Sequence, residues 1–165
     1  MKTLIINVRL VDEERDIPGA LVMEDEKILE IIPMEEESGL EKHIEDAAFI
    51  IDGSSLTDGS GGLPVLMPAF VDLHAHFRDP GFPEKETLES ASLAVAAGGF
   101  GTVVCMANTK PVIDTPEAAE VLYKRAETQD LIDLYPVLSL TKGMEGKELS
   151  DFTRLPPLPS AGTEL

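Results

Sequence analysis

The sequence predicts an α/β fold in which a small β domain precedes the opening units of a parallel sheet. Two observations carry the prediction. Residues 1–65 contain short apolar runs broken by polar turns, while from residue 66 onward apolar strand patterns alternate with helical ones. A third observation places chemistry on that second part: Asp72-Leu73-His74-Ala75-His76 follows the apolar run Leu66–Val71, so His74 and His76 share one face of a strand.

In the first part, Leu4-Ile5-Ile6 with Val8 and Leu10-Val11 form one strand pattern. Ala20–Met23, the polar turn Glu24-Asp25-Glu26-Lys27 and Ile28–Ile32 read as a hairpin. Glu35–Gly39 is acidic and weakly patterned, and His43 beside it is expected to be solvated. Phe49-Ile50-Ile51 is a further strand, stopped by Asp52-Gly53, and residues 54–62 form a Ser/Gly-rich linker.

The second part opens with the histidine strand, whose alternate residues Leu73, Ala75 and Phe77 are expected to point into packing. A loop with Asp79-Pro80-Gly81 leads to a helix over about Glu84–Ala97. Its first turn carries Glu84 and Glu86, Gly98-Gly99 closes it, and Leu88, Ala91 and Val95 form its inner stripe. Thr102–Met106 is the second strand. Thr115 then caps a second helix with Pro116 at its first position and Ala119, Leu122 and Ala126 facing inward. Leu134–Leu140 is the third strand. Such alternation implies right-handed parallel units, an α/β sheet or barrel, whose site lies at the carboxyl ends of the strands. His76, Arg78 and Asn108 all fall near such ends.

Composition excludes several roles. With 13 basic and 31 acidic residues the net charge is −18, which disfavours nucleic acid and anionic membrane as partners. No stretch approaches the roughly 20 apolar residues of a membrane span, and the start is too briefly apolar for a signal peptide. Cys105, the single cysteine, is flanked by Val103-Val104 and Met106 and reads as a buried structural thiol. A cytoplasmic location is expected.

Two of the three histidines sit in the His-x-His pair, where metal ligation would supply the partner a buried imidazole needs. Each neighbour has a plainer alternative. Arg78 is either a binding group or a loop charge pairing Asp79; Asn108 is either a binding group or a cap for the turn before Pro111. Asp72 either orients a ligating histidine or serves the strand structurally.

Taken together, Asp72–Gly81, Lys85–Ser90, Ala96–Val104, Met106–Pro111, Asp114-Thr115-Pro116, Thr141-Lys142-Gly143 and Glu148–Phe152 resemble the amino-terminal part of a dihydroorotase of the amidohydrolase superfamily. The resemblance covers roughly residues 1–154, weakly over the first 60. It departs at Ala69, Gly101 and Ala107, where the family favours glycine, threonine and proline. It implies the start of a (β/α)8 barrel, with about three βα units over residues 66–154. It also implies a composite β domain over 1–65 and a divergent Pro-rich tail over 155–165. The implied activity is the interconversion of N-carbamoyl-L-aspartate and L-dihydroorotate in pyrimidine biosynthesis. His74 and His76 would hold zinc, with one or two ions in the complete enzyme, and Arg78 and Asn108 would hold the substrate carboxylate. The family's general acid/base aspartate, bridging carboxylate and two further histidines have no counterpart here. His43 is out of order and Asp151 lies in the wrong context.

An eight-unit barrel needs roughly 250 residues, so a truncated or frame-shifted gene product, inactive by itself, is expected. Three alternatives accompany that reading: an allantoinase relative, a hydantoinase relative, or a non-catalytic partner of aspartate transcarbamoylase. A homo-oligomer is compatible with all of them.

Overall fold

The computed structural model describes residues 1–154 apart from 57, 58 and 60, and the side chains of 37 and 38 are likewise outside the description. The Pro-rich tail expected over 155–165 falls outside the described residues. The chain divides into two compact units, Met1–Pro68 and the residues from Ala69 on.

The first unit is a five-stranded sheet. β1 (Lys2–Val11) lies between β2 (Asp16–Glu24), antiparallel, and β4 (Phe49–Asp52), parallel; β3 (Lys27–Pro33) pairs β2, and β5 (Val65–Leu66) runs parallel to the far end of β1. The β2–β3 turn is tight because Glu24 pairs Lys27 and Asp25 takes a left-handed φ of 52°. Strict alternation would place Leu4, Val8 and Leu10 on one face. Instead Leu4 packs with Ala20, Val22 and Ile32, whereas Val8 and Leu10 pack with Leu21 in a separate cluster. The cause is a bulge between Ile5 and Val8, where Asn7 has φ 54° and moves the rest of β1 by one residue.

Two expectations for this unit are corrected. The acidic stretch continues into a short helix, α1 (Glu37–Ile44), because Leu40 packs with Ala47 against the Leu4 cluster, a tertiary reward that local propensity does not reveal. His43 on that helix is not solvated. Its side chain is 13% exposed, its Nε2 lies 2.8 Å from a Glu30 carboxylate oxygen and its Nδ1 lies 3.4 Å from Lys2 Nζ.

The second unit is a three-stranded parallel sheet in the order β6–β7–β8. β6 is Phe70–Ala75, β7 Phe100–Cys105 and β8 Asp133–Pro136; α2 (Leu88–Ala97) and α3 (Pro116–Gln129) make the crossovers. Among the described residues this amounts to two complete βα units and a third strand, not three units. The core lies between helices and sheet: Leu88 and Ala91 from α2, Val103 and Cys105 from β7, Ala119, Leu122 and Ala126 from α3, and Leu134 from β8.

Element ends differ from the sequence expectation for identifiable reasons. The run Leu66–Val71 is not one strand, since Pro68 lacks an N–H for a ladder and separates β5 from β6. α2 begins at Leu88 rather than Glu84. Thr87 accepts the Ser90 N–H while the Ser90 hydroxyl accepts the Thr87 N–H, so a reciprocal cap sets the start and leaves Glu84 and Glu86 outside the helix. Gly98 and Gly99 do end it, Gly99 with φ +80°. α3 follows the sequence closely: Thr115 accepts the Ala118 N–H and Pro116 occupies the first position. β8 ends at Pro136 instead of reaching Leu140: Val137 makes the last bond to β7 by donating to the Cys105 carbonyl, and Ser139 donates instead to Ile113 in the loop beyond β7. Leu73, expected in packing, is 71% exposed. The register of β6 against β7 shifts between Asp72 and Ala75, so Leu73 does not keep the face it would share with Ala75, which packs against the core.

Candidate metal and carboxylate site

The histidine pair lies where β6 ends. His74 is on the strand and His76 is just beyond it, with ring centroids 5.2 Å apart in an edge-on arrangement, so both imidazoles occupy the same neighbourhood as their spacing predicts. Both residues are exposed. Asp72 accepts the backbone N–H of His74 at 2.9 Å, which places its action on the strand backbone rather than on a ring. The ring of His76 instead meets Asn108: Nδ1 lies 2.7 Å from Asn108 Oδ1. An amide oxygen only accepts, so with Oδ1 facing the ring this contact is a hydrogen bond in the Nδ1–H form, the form that leaves the Nε2 lone pair for another partner.

Among the described residues no group of three or more His, Cys, Asp or Glu side chains gathers as a metal cluster. His74 and His76 therefore stand as a pair of imidazoles without a third such side chain gathered beside them among the described residues. Their donors fit zinc, whose affinity for neutral imidazole nitrogen is high, but they fill at most half of a tetrahedral shell.

The loops around the pair are braced against each other. Lys110 donates its N–H to the Pro80 carbonyl at 2.9 Å, and the Thr109 hydroxyl donates to the Pro111 carbonyl at 2.7 Å. Gly81 permits this approach. Its φ is +110°, and a Cβ there would lie 2.3 Å from the Lys110 carbonyl oxygen. Ala107, at a position where the resembled family favours proline, is buried in the core and accepts the N–H groups of Thr109 and Ile113.

Arg78 follows His76 with φ 62° and is half-buried. The pairing with Asp79 that its plainer reading requires is not made. Asp79 is held by Arg125 of α3 through two bonds of 2.8 and 2.9 Å and also accepts the Leu88 N–H at 3.1 Å. Among the described residues no carboxylate pairs with the Arg78 guanidinium. The Asp79–Arg125 clasp was not foreseen, because the partners are 46 residues apart in sequence and nothing local marks Arg125.

The clasp has a pH signature. Hydrogen bonding from Arg125, aided by the Leu88 N–H, holds the Asp79 carboxyl below the ordinary carboxylate range against an opposing desolvation. Because its pKa falls on folding, Asp79 contributes stability above its unfolded value, about 3.9, and loses it as pH falls through the lower folded value. Asp79→Asn should cost about 1–3 kcal/mol at neutral pH, measured by urea denaturation. The gap to wild type should close below roughly pH 4; a gap constant with pH would show that the charge is not responsible.

Cys105 is buried, and that burial pushes its thiol pKa up, consistent with an inert structural group. Asp151 accepts from the Thr153 N–H and hydroxyl at 2.9 and 2.6 Å, a local turn remote in role from the histidines. No described helix is long and apolar enough to cross a membrane.

Comparison with known proteins identifies the family. The family model described as dihydro-orotase-like matches residues 64–163. A dihydroorotase of Clostridioides difficile is 38% identical over 154 residues, 92% of this chain and 33% of that protein. One from Lactococcus lactis is 38% identical over 157 residues, 94% of this chain and again 33% of its own length. Among solved structures, the L-hydantoinase of Arthrobacter aurescens superposes with a TM-score of 0.64 at 23% identity, covering 84% of this chain and 28% of that one, a likeness of fold. The chain thus spans about a third of the length of the curated relatives it matches. On the family match and these identities, the chain belongs to the dihydro-orotase-like family.

Proposed function

We propose that these residues carry the first part of a dihydroorotase site, one that interconverts N-carbamoyl-L-aspartate and L-dihydroorotate in the cytoplasm, on the opening units of a (β/α)8 barrel. The observation that carries the reading is the contact between His76 and Asn108 at the ends of β6 and β7, with Arg78 two residues beyond His76 in the sequence and paired with no carboxylate among the described residues. His74 and His76 would hold zinc, which supplies Lewis-acid polarisation of a carbonyl when bound. Arg78 would bind the free carboxylate of the substrate through its planar fork, and Asn108 would add an amide donor. Together they orient the ring so that its reacting amide faces the histidines. That clamp favours dihydroorotate over hydantoins, which carry no such carboxylate.

Two imidazoles and a carboxylate clamp do not supply a general acid/base. The purified 165-residue chain is therefore expected to show no dihydroorotate hydrolysis with zinc present. The positive test joins residues 1–154 to the remaining two thirds of the Clostridioides difficile dihydroorotase. That chimera should turn over dihydroorotate, and Arg78→Ala in it should lower kcat/KM about 10–100-fold. A chimera that prefers hydantoin or allantoin to dihydroorotate would sink the reading.

A further inference from the structure

We infer that Asn108 is a positioning residue for His76: its Oδ1 fixes the ring in the Nδ1–H tautomer and thereby aims the Nε2 lone pair outward for ligation. The inference rests on the metal role proposed above for His76 and adds a cause for it. The contact is 2.7 Å and joins two loops of different strands. Of its two ends, the loop that carries the amide is the more hydrogen-bonded. Asn108 sits between Ala107, whose carbonyl accepts from Thr109 and Ile113, and Thr109, whose hydroxyl is tied to Pro111; the next residue, Lys110, is tied to Pro80. His76 by contrast is exposed at a strand end. The braced backbone that carries Asn108 therefore sets where its amide meets the ring.

The consequence is chemical. An imidazole binds a metal through a ring nitrogen that carries no proton, and the hydrogen bond at the other nitrogen decides which one that is. Without an acceptor at Nδ1, the exposed ring reverts to the Nε2–H form preferred in water, which blocks the outward nitrogen. The same bond also orders the amide. With Oδ1 committed to His76, the Asn108 NH2 group is left to donate elsewhere, the polarity that an anionic carboxylate requires. One residue would then couple the metal ligand to the carboxylate clamp.

The test reads the tautomer directly. In metal-free, 15N-histidine-labelled chain, long-range 1H–15N spectra should show His76 with a protonated Nδ1 and a bare Nε2. The chain's three histidines make assignment tractable. Asn108→Ala should move His76 to the Nε2–H form and weaken zinc binding, followed by calorimetry, about 10–100-fold. Asn108→Asp keeps the acceptor and should keep both. Wild-type His76 in the Nε2–H form, or an unchanged tautomer in Asn108→Ala, overturns the inference. If the tautomers behave as stated but wild-type chain binds no zinc, the positioning stands and the metal reading fails. If zinc binds equally to wild type and Asn108→Ala, the metal reading stands and the positioning fails.

Discussion

Alanine at either His74 or His76 will remove most of the zinc affinity of this chain, whereas alanine at His43 will leave it intact. Only two imidazoles stand together there among the described residues, so each supplies about half of the protein's contribution. Losing one should lower affinity about 100-fold, equivalent to ~2.8 kcal/mol. His43 is a meaningful control because it too is a histidine beside carboxylates, with Glu30 at 2.8 Å, yet it has Lys2 at its other nitrogen. An ammonium at that distance repels a cation and occupies the lone pair a metal would need. Calorimetric titration of the three variants distinguishes the sites. Loss of binding in His43→Ala, with His74→Ala and His76→Ala unaffected, would move the metal to the first unit and sink the proposed role of the pair.

Leu122→Ala will destabilise the second unit by about 2–5 kcal/mol, a large part of the 5–15 kcal/mol typical of a domain. The neighbouring Val121→Ala will change it by less than about 0.5 kcal/mol. The two positions are adjacent on α3, but Leu122 is 2% exposed and Val121 is 61% exposed. Leu122 belongs to the layer in which Leu88, Val103 and Leu134 meet, where the alanines of both helices let them approach the sheet closely. Truncation there leaves a cavity that small, already-touching neighbours cannot fill. Equal urea midpoints for the two variants would mean that this layer is not a packed core.

The α/β grammar of the second unit was legible in the sequence because it rests on short-range signals. Thr115-Pro116 starts α3, Gly98-Gly99 ends α2, and the 3.6-residue spacing of Ala119, Leu122 and Ala126 correctly selects the inner face. The candidate site was legible for a related reason. A strand's two-residue period places His74 and His76 together, and Asn108 follows the next strand in the same direction. Where the reading failed, the deciding contact was distant or absent. α1 forms because Leu40 finds the Leu4 cluster, β1 switches faces at Asn7, and Leu73 is exposed where the register of β6 against β7 shifts.

By itself, then, the sequence determined the alternating strands and helices of the second unit and the strand-end placement of His76 and Asn108, which follow from periodicity and capping chemistry, while the roles of the candidate residues came from the family resemblance. Tertiary structure decided which of several chemically equal partners each polar group takes. Asp79 turns to Arg125 and not to Arg78, and Asn108 turns to the His76 ring. Loop geometry brings those groups to hydrogen-bond distance across 46 and 32 residues of chain. No local pattern encodes such a choice, because it depends on where two separately folded segments come to rest.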